Sequence, residues 1–240
     1  MKFETHDIAT AFSLLTRLPV PVDHARAGLR GADAAWAYPI VGALLGFVAG
    51  ALGWGLISAG ISVGMAAIFV IVAQVMMTGA MHEDGLADMA DGMGGFTVER
   101  RLEIMKDSRI GAFGAIALGL ALLARHTGIS EISASDLPLA LAAIGAGSRA
   151  LMVALMAWLP NARTGGLSAQ AGKPEAWPAL AIGLFCSLLA FGWLGFWVFA
   201  GMAAAAALVA LIAKLRFGGQ TGDILGASQQ SAEIVGLALL

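Results

Sequence analysis

Long stretches of the chain contain no charged residue. No Asp, Glu, Lys or Arg occurs in residues 34–82 or in residues 176–213. A membrane-spanning helix needs about 20 apolar residues, so each stretch accommodates two spans. Small and polar residues at 58–62 and at 192–195 mark the expected breaks. With three further apolar stretches, the pattern predicts about seven transmembrane helices; the additional stretches are 110–128, 137–159 and 224–240.

Composition supports an all-α, polytopic integral membrane bundle. Of the 240 residues, 59% are hydrophobic and 12% are charged, whereas soluble domains carry about 25% charged residues. The formal net charge is -2, so the chain lacks the excess of basic residues that is typical of a nucleic-acid-binding protein. Gly42, Gly46 and Gly50 recur every four residues, a spacing that allows a second helix to approach closely. We expect one membrane-embedded catalytic domain over residues 1–240, and the sequence leaves a homo-oligomer open.

The N-terminal segment 1–33 is polar enough to remain outside the hydrocarbon core. Phe3, Ile8, Phe12 and Leu15 recur near helical spacing, and prolines follow them. The pattern predicts an amphipathic helix, which lies either on the membrane surface or packed within the protein.

The basic residues lie mainly in every second loop of the predicted bundle. Twelve of the 14 fall on one side of a seven-span bundle: Lys2, Arg17, Arg26, Arg30, Arg100, Arg101, Lys106, Arg109, Arg163, Lys173, Lys214 and Arg216. By the positive-inside rule this side is cytoplasmic. We therefore expect a multi-pass protein of the bacterial cytoplasmic (inner) membrane, with segment 82–109 in the cytoplasm.

An acidic cluster follows the second predicted span. Asp84, Asp88 and Asp91 have the spacing i, i+4, i+7 and share one face if the segment is helical. Three carboxylates on one face repel each other unless a cation lies between them, and Mg²⁺ prefers such oxygen ligands. The spacing thus favours a metal site, the alternative being a solvated acidic loop. Neighbouring His82 is a metal ligand, a general base or a surface residue.

A second amphipathic helix is predicted after the cluster, with Thr97 as its N-cap. Its basic end contains Lys106 and Arg109, which bind either anionic lipid head groups or a phosphate near the acidic cluster.

Three more charged residues are candidates for the site. Arg163 lies in the glycine-rich segment 161–168, and Asp223 follows a second glycine-rich segment on the same predicted side. Arg149 lies within a predicted span, where a buried arginine needs a partner. A carboxylate of the acidic cluster or a substrate phosphate would be suitable.

Four segments together resemble the cobalamin synthase (adenosylcobinamide-GDP ribazoletransferase) family. They are His82–Gly92, Glu99–Gly114, Thr16–Pro21 and Gly218–Ala227. The resemblance runs from the first predicted helix to the last. It implies a cytoplasmic-membrane enzyme that joins adenosylcobinamide-GDP to α-ribazole, or to its 5′-phosphate, and releases GMP with Mg²⁺.

The implied reaction gives each residue an expected role. Asp84, Asp88 and Asp91 hold Mg²⁺ against the diphosphate. Asp91 is the first choice to accept the hydroxyl proton, followed by His82 and Asp107. The remaining predicted substrate ligands are expected to bind phosphate, ribose or the metal. They are Lys106, Arg109, Arg149, Arg163 and Asp223.

Two other functions remain open at this point. The aspartate spacing distantly resembles the CDP-alcohol phosphotransferases, although Leu86-Ala87 replaces their Ala-Arg. A divalent-ion transporter is the second alternative, but it predicts acids near the middle of the bilayer. The acids here cluster at one membrane face, apart from Glu233.

Overall fold

The computed structural model describes residues 3–163, 165 and 172–240, with His24 described by its backbone only. Lys2, Thr164 and residues 166–168 of the glycine-rich segment therefore lie outside the described residues. The described part of the chain contains no β-strand, which confirms the all-α class. Its helices are α1 (Thr5–Leu15), α2 (His24–Arg30), α3 (Tyr38–Ser58), α4 (Val63–Thr78), α5 (Met81–Gly92), α6 (Val98–Ile104), α7 (Ala112–Glu131), α8 (Leu137–Trp158), α9 (Trp177–Phe191), α10 (Trp193–Ile212) and α11 (Gly222–Ala238).

Helices form at all seven predicted positions, but they differ in length. Within the described residues, four helical runs are long and apolar enough to cross a membrane: Ala32–Ser58, Ala112–Glu131, Leu137–Trp158 and Trp193–Phe217. Helices α4 and α5 together make a fifth if they count as one bent span. Helix α9 has 15 residues, or about 22 Å, against a hydrocarbon core of about 30 Å. The chain is thus a polytopic helical membrane protein with four to five spans by length.

Helix α5 leaves the direction of α4 at a sharp bend. The two axes differ by 89°, and the connecting residues Gly79 and Ala80 both have positive φ, at 67° and 59°. A left-handed residue ends a helix because it turns the next carbonyl away from the helix axis. Helix α5 therefore does not continue along the axis of α4, and we treat it as lying outside the four spans.

The centre of the bundle is α8, which is almost entirely buried. Helix α3 packs on it through the predicted glycine stripe. A Cβ at Gly42, Gly46 or Gly50 would lie within 2.4 Å of a backbone oxygen of α8. The two helices therefore touch backbone to backbone, as the small-residue spacing predicts.

The N-terminal amphipathic helix forms as α1 and is packed within the protein. Its inner face buries Asp7, Ala11, Phe12 and Leu15. The Asp7 carboxylate accepts hydrogen bonds from the Trp36 indole at 2.8 Å and from Arg30 at 3.0 Å. The inner face of α1 is thus packed against the protein, and its position at the membrane surface stays a prediction.

Candidate functional site

Helix α5 carries the three predicted metal ligands on its polar face. Asp84 is exposed, and Asp88 and Asp91 are partly buried. Gly85, Ala87 and Met89 of the same helix are buried in the bundle. The acidic segment is thus a helix, as the i, i+4, i+7 spacing requires.

Asp223, at the start of α11, lies directly beside this face. A Cβ at Gly85 would lie 2.6 Å from the Asp223 backbone oxygen, and one at Gly226 would lie 3.1 Å from the Cα of His82. Residue numbers rise on α5 as they fall on α11, so the two helices are antiparallel. Thr221 fixes the start of α11, because its hydroxyl accepts from the Ile224 amide at 3.3 Å.

Arg163 lies near the carboxylates of Asp223 and Asp88. The Arg163 guanidinium lies 3.6 Å from the Asp223 carboxylate and donates to the Leu102 carbonyl at 2.9 Å. The predicted Arg163 and Asp223 are therefore neighbours in the structure. A cation held beside a group of carboxylates can bind a substrate phosphate that enters between them.

Asp88 has the most perturbed acidity of the cluster. Partial burial, followed by the charges of Asp84, Asp223 and Asp91, raises its pKa from 3.8 to about 7, and Arg163 opposes the rise. Burial and like charges both disfavour the ionised carboxylate. The charges of the four aspartates therefore repel one another. Binding of a proton or of a metal cation would lower this repulsion.

Asp91 joins α5 to the start of α7. Its two carboxylate oxygens accept from the backbone amides of Gly111 at 2.7 Å and Gly114 at 2.8 Å. A Cβ at either glycine would lie within 2.4 Å of the Asp91 carboxylate. The contact that the structure gives Asp91 is therefore that of a helix cap. Its predicted roles as metal ligand and proton acceptor stay predictions.

A broad cleft of about 590 Å³ opens beside Asp91. Its wall includes Arg100, Asp107 and Arg109. Asp107 accepts the Arg109 guanidinium at 2.6 Å, and this bonding lowers the pKa of Asp107 to about 2. With so low a pKa, Asp107 is a weak base near neutral pH and therefore a poor proton acceptor. Lys106 is exposed on the same turn.

His82 and Arg149 lie in the bundle interior and not among the aspartates. His82 is 2% exposed and its Nε2 has no hydrogen-bond partner. Arg149 donates to the Gly145 carbonyl at 3.3 Å, and the acidic charges acting on it are those of Glu233 and Glu83. The carboxylates near Arg149 are therefore not those of the predicted cluster. The structure gives no support to His82 as proton acceptor or to Arg149 as a substrate ligand.

The arrangement of the aspartates fits a magnesium site that phosphate and water complete better than one that protein side chains enclose. Among the described residues, no three His, Cys, Asp or Glu side chains converge closely enough to enclose a metal ion. Mg²⁺ commonly takes only one or two carboxylates, with phosphate oxygens and waters completing its shell. Asp84, Asp88 and Asp223 supply oxygen ligands of that kind.

A second charged group lies inside the bundle and was not among the predicted site residues. It contains Glu83, Arg125 and Glu233, each at least nine-tenths buried. The available signal was a charge inside a predicted span: Arg125 falls in 110–128 and Glu233 in 224–240.

Comparison with known proteins places nearly the whole chain in one family. A family model described as cobalamin-5-phosphate synthase matches residues 7–240. The adenosylcobinamide-GDP ribazoletransferase of Bradyrhizobium diazoefficiens is 43% identical over 95% of this chain and 90% of its own length. Those of Mesorhizobium japonicum and Azorhizobium caulinodans are 42% and 41% identical, each over 95% of this chain and over 90% and 92% of their own lengths. No solved structure matches the chain.

Proposed function

Because the chain belongs to the cobalamin-5-phosphate synthase family, we propose that it transfers the cobinamide phosphate moiety of adenosylcobinamide-GDP. The acceptor is α-ribazole or α-ribazole 5′-phosphate, and the leaving group is GMP. The products are adenosylcobalamin, or its 5′-phosphate, and GMP. The relatives named above are all ribazoletransferases, which favours neither a phospholipid phosphotransferase nor a divalent-ion transporter.

The observation that carries this proposal is the meeting of α5 and α11. Their contact at Gly85 brings Asp84 and Asp88 beside Asp223, with Arg163 at 3.6 Å from the Asp223 carboxylate. Phosphoryl transfer needs positioning and charge neutralisation more than covalent catalysis. A cluster of carboxylates with one arginine offers both for a diphosphate.

The metal assignment is part of the proposal. Asp84, Asp88 and Asp223 would hold Mg²⁺, and Asp91 fixes the end of α5 against α7. When bound, Mg²⁺ neutralises the diphosphate oxygens. Arg163 would stabilise the charge that develops on the phosphate of the leaving GMP. Lys106 and Arg109 lie beside the cleft and would bind the rest of the nucleotide.

The reaction releases a proton, which one of the aspartates would accept. The ribose hydroxyl forms a P–O bond to the cobinamide-side phosphorus, the P–O bond to GMP breaks, and the hydroxyl proton must leave. Of the predicted acceptors, Asp107 is paired with Arg109 and His82 is buried in the bundle. Asp91, the first of the predicted acceptors and not one of the proposed Mg²⁺ ligands, would then take the proton.

We place the site at the cytoplasmic face of the bacterial inner membrane. The support is the distribution of basic residues: if all seven apolar helices cross the membrane, 12 of the 14 fall on the side of the acidic helix. A water-soluble, nucleotide-linked corrinoid reaches such a site without crossing the bilayer.

The test is GMP release by the purified, detergent-extracted protein. We expect GMP with adenosylcobinamide-GDP plus α-ribazole and Mg²⁺, and none when EDTA is present or α-ribazole is omitted. Diacylglycerol and glycerol phosphate, offered with CDP-linked or GDP-linked donors, are the matched alternative acceptors. Turnover with these alone would favour a lipid phosphotransferase, and metal uptake into proteoliposomes without any transfer would favour a transporter.

A further inference from the structure

Two buried carboxylates on different helices share one arginine of α7. The Arg125 guanidinium donates to Glu83 of α5 at 2.7 Å through Nη1. Its Nη2 lies 3.2 Å from the Glu233 carboxylate of α11. The Arg125 side chain is 1% exposed, so the contact lies in the interior of the bundle, where partners of a charge cannot be replaced by bulk water.

Glutamine side chains extend this contact to further helices. Arg125 also donates to Gln74 of α4 at 2.8 Å and to Gln230 of α11 at 3.3 Å. Gln230 in turn donates to Glu83 at 3.2 Å. One planar guanidinium therefore joins α4, α5 and α11 to α7, and its fixed fork of donors allows only one relative arrangement of these helices.

The two glutamates are linked to the aspartate site through their own helices. Glu83 directly precedes Asp84 on α5, and Glu233 lies on α11, the helix whose first turn contains Asp223. The same two helices meet at Gly85. A rotation or a shift of α5 relative to α11 would therefore change the distance between the carboxylates that face each other at the site.

We propose that Arg125 is a positioning residue for the metal and diphosphate site, acting through Glu83 and Glu233. It holds α5 and α11 at the separation at which Asp84 and Asp88 can share a cation with Asp223. Stability alone does not require such a group, because apolar side chains of similar volume often stabilise a core equally well. This inference rests on the proposed function, since it assumes that the aspartates bind a divalent cation.

The first test is Arg125→Lys, which keeps the charge but replaces the fork with a single ammonium group. We expect Mn²⁺, used as the paramagnetic substitute for Mg²⁺, to bind at least about tenfold more weakly, as is usual when a group behind a metal ligand is changed. The Mg²⁺ concentration for half-maximal activity should rise by the same factor. The kcat at saturating Mg²⁺ should change less.

His126→Ala is the matched control on the same helix. His126 follows Arg125 and makes one interhelical contact, with the Gly64 carbonyl at 3.1 Å, and that contact ties α7 to α4 only. We expect this variant to keep the Mn²⁺ affinity of the wild type. An equal loss in both variants would mean that Mn²⁺ binding responds to any loosening of α7, and would overturn the proposal.

Glu83 supplies a second pair of variants in case Arg125→Lys does not fold. Glu83→Ala removes the α5 end of the contact, whereas Glu83→Gln keeps the acceptor oxygen and removes only the charge. We expect weak Mn²⁺ binding in the alanine variant and near-normal binding in the glutamine variant. Equal losses in the two would assign the effect to charge, and two normal affinities would show no effect; either result overturns the proposal.

A distance measurement separates this proposal from the proposed function. Nitroxide labels at Met93 and Leu239, in a Cys186→Ser background, report the ends of α5 and α11 by pulsed electron paramagnetic resonance. Arg125→Lys should broaden or shift the distance distribution, and His126→Ala should not. Neither the distance nor Mn²⁺ binding requires turnover, so a wild type without transferase activity would refute the function and leave this test intact. An unchanged distance with unchanged Mn²⁺ binding in Arg125→Lys refutes the positioning role.

Discussion

Gly85 of α5 lies so close to Asp223 of α11 that a Cβ at position 85 would come within 2.6 Å of the Asp223 backbone oxygen. No real Cβ occupies such a position without displacement of one of the two backbones. Gly85 is thus needed for steric reasons, because there is no room for a side chain at this position. It lets two helices touch at the point where their carboxylates face each other.

Gly85→Ala should separate the helices and impair the site. We expect a large loss of transferase activity and weaker Mn²⁺ binding, since Asp223 moves away from Asp84 and Asp88. Gly119→Ala is the control: no heavy atom lies within 4 Å of the Cβ position, so this helical substitution should be neutral or stabilising. Full activity in Gly85→Ala would show that the close contact is dispensable.

Asp88→Asn should stabilise the Mg²⁺-free protein at alkaline pH. In the folded protein the pKa of Asp88 is raised from 3.8 to about 7, so the folded state binds this proton more tightly than the unfolded state does. The resulting stability is complete below pH 3.8 and is lost as pH rises through about 7. The amide cannot ionise and avoids that loss.

Thermal unfolding in EDTA measures this effect. At pH 8 the Tm of Asp88→Asn should exceed that of the wild type, and the difference should shrink toward pH 5. Mg²⁺ should raise the Tm of the wild type more than that of the variant, because a ligand stabilises the state that binds it. A variant that is less stable than the wild type at pH 8 would contradict the proposed repulsion among the aspartates.

Asp91→Ala should destabilise the junction between α5 and α7. The carboxylate satisfies two amides at the start of α7, and loss of a helix cap costs about 1 kcal/mol. We expect a lower Tm in the alanine variant and a smaller decrease in Asp91→Asn, which keeps one acceptor oxygen. An unchanged Tm in Asp91→Ala would contradict the capping role.

Local patterns in the sequence were sufficient to predict much of the architecture. The break at 58–62, the break near Gly192 and the Thr97 cap all appear where expected, since α3 ends at Ser58, α10 begins at Trp193, and Thr97 accepts from the Arg100 amide. Each depends on residues close together in the chain. The glycine stripe of α3 was also readable, because a period of four places those residues on one helix face.

The parts that sequence reasoning did not supply depend on contacts between distant segments. Asp223 was predicted as a ligand, but its position against Gly85 requires the packing of α11 on α5. The bonding of Arg125 with Glu83 and Glu233 joins residues 42 and 108 positions apart, and no local period reveals such a contact. The bend between α4 and α5 was missed for a different reason: hydropathy marks apolar positions, whereas the bend at Gly79 and Ala80 depends on backbone conformation.

The most direct test of the account is turnover in Asp84→Asn and Asp88→Asn, each measured as GMP release from adenosylcobinamide-GDP and α-ribazole at saturating Mg²⁺. Asp136→Asn, at the exposed start of α8, is the matched control. We predict that both cluster variants lose at least about 100-fold in kcat/KM, while the control keeps the wild-type rate. Normal turnover in both cluster variants would contradict the assignment of the aspartates to the metal and diphosphate site.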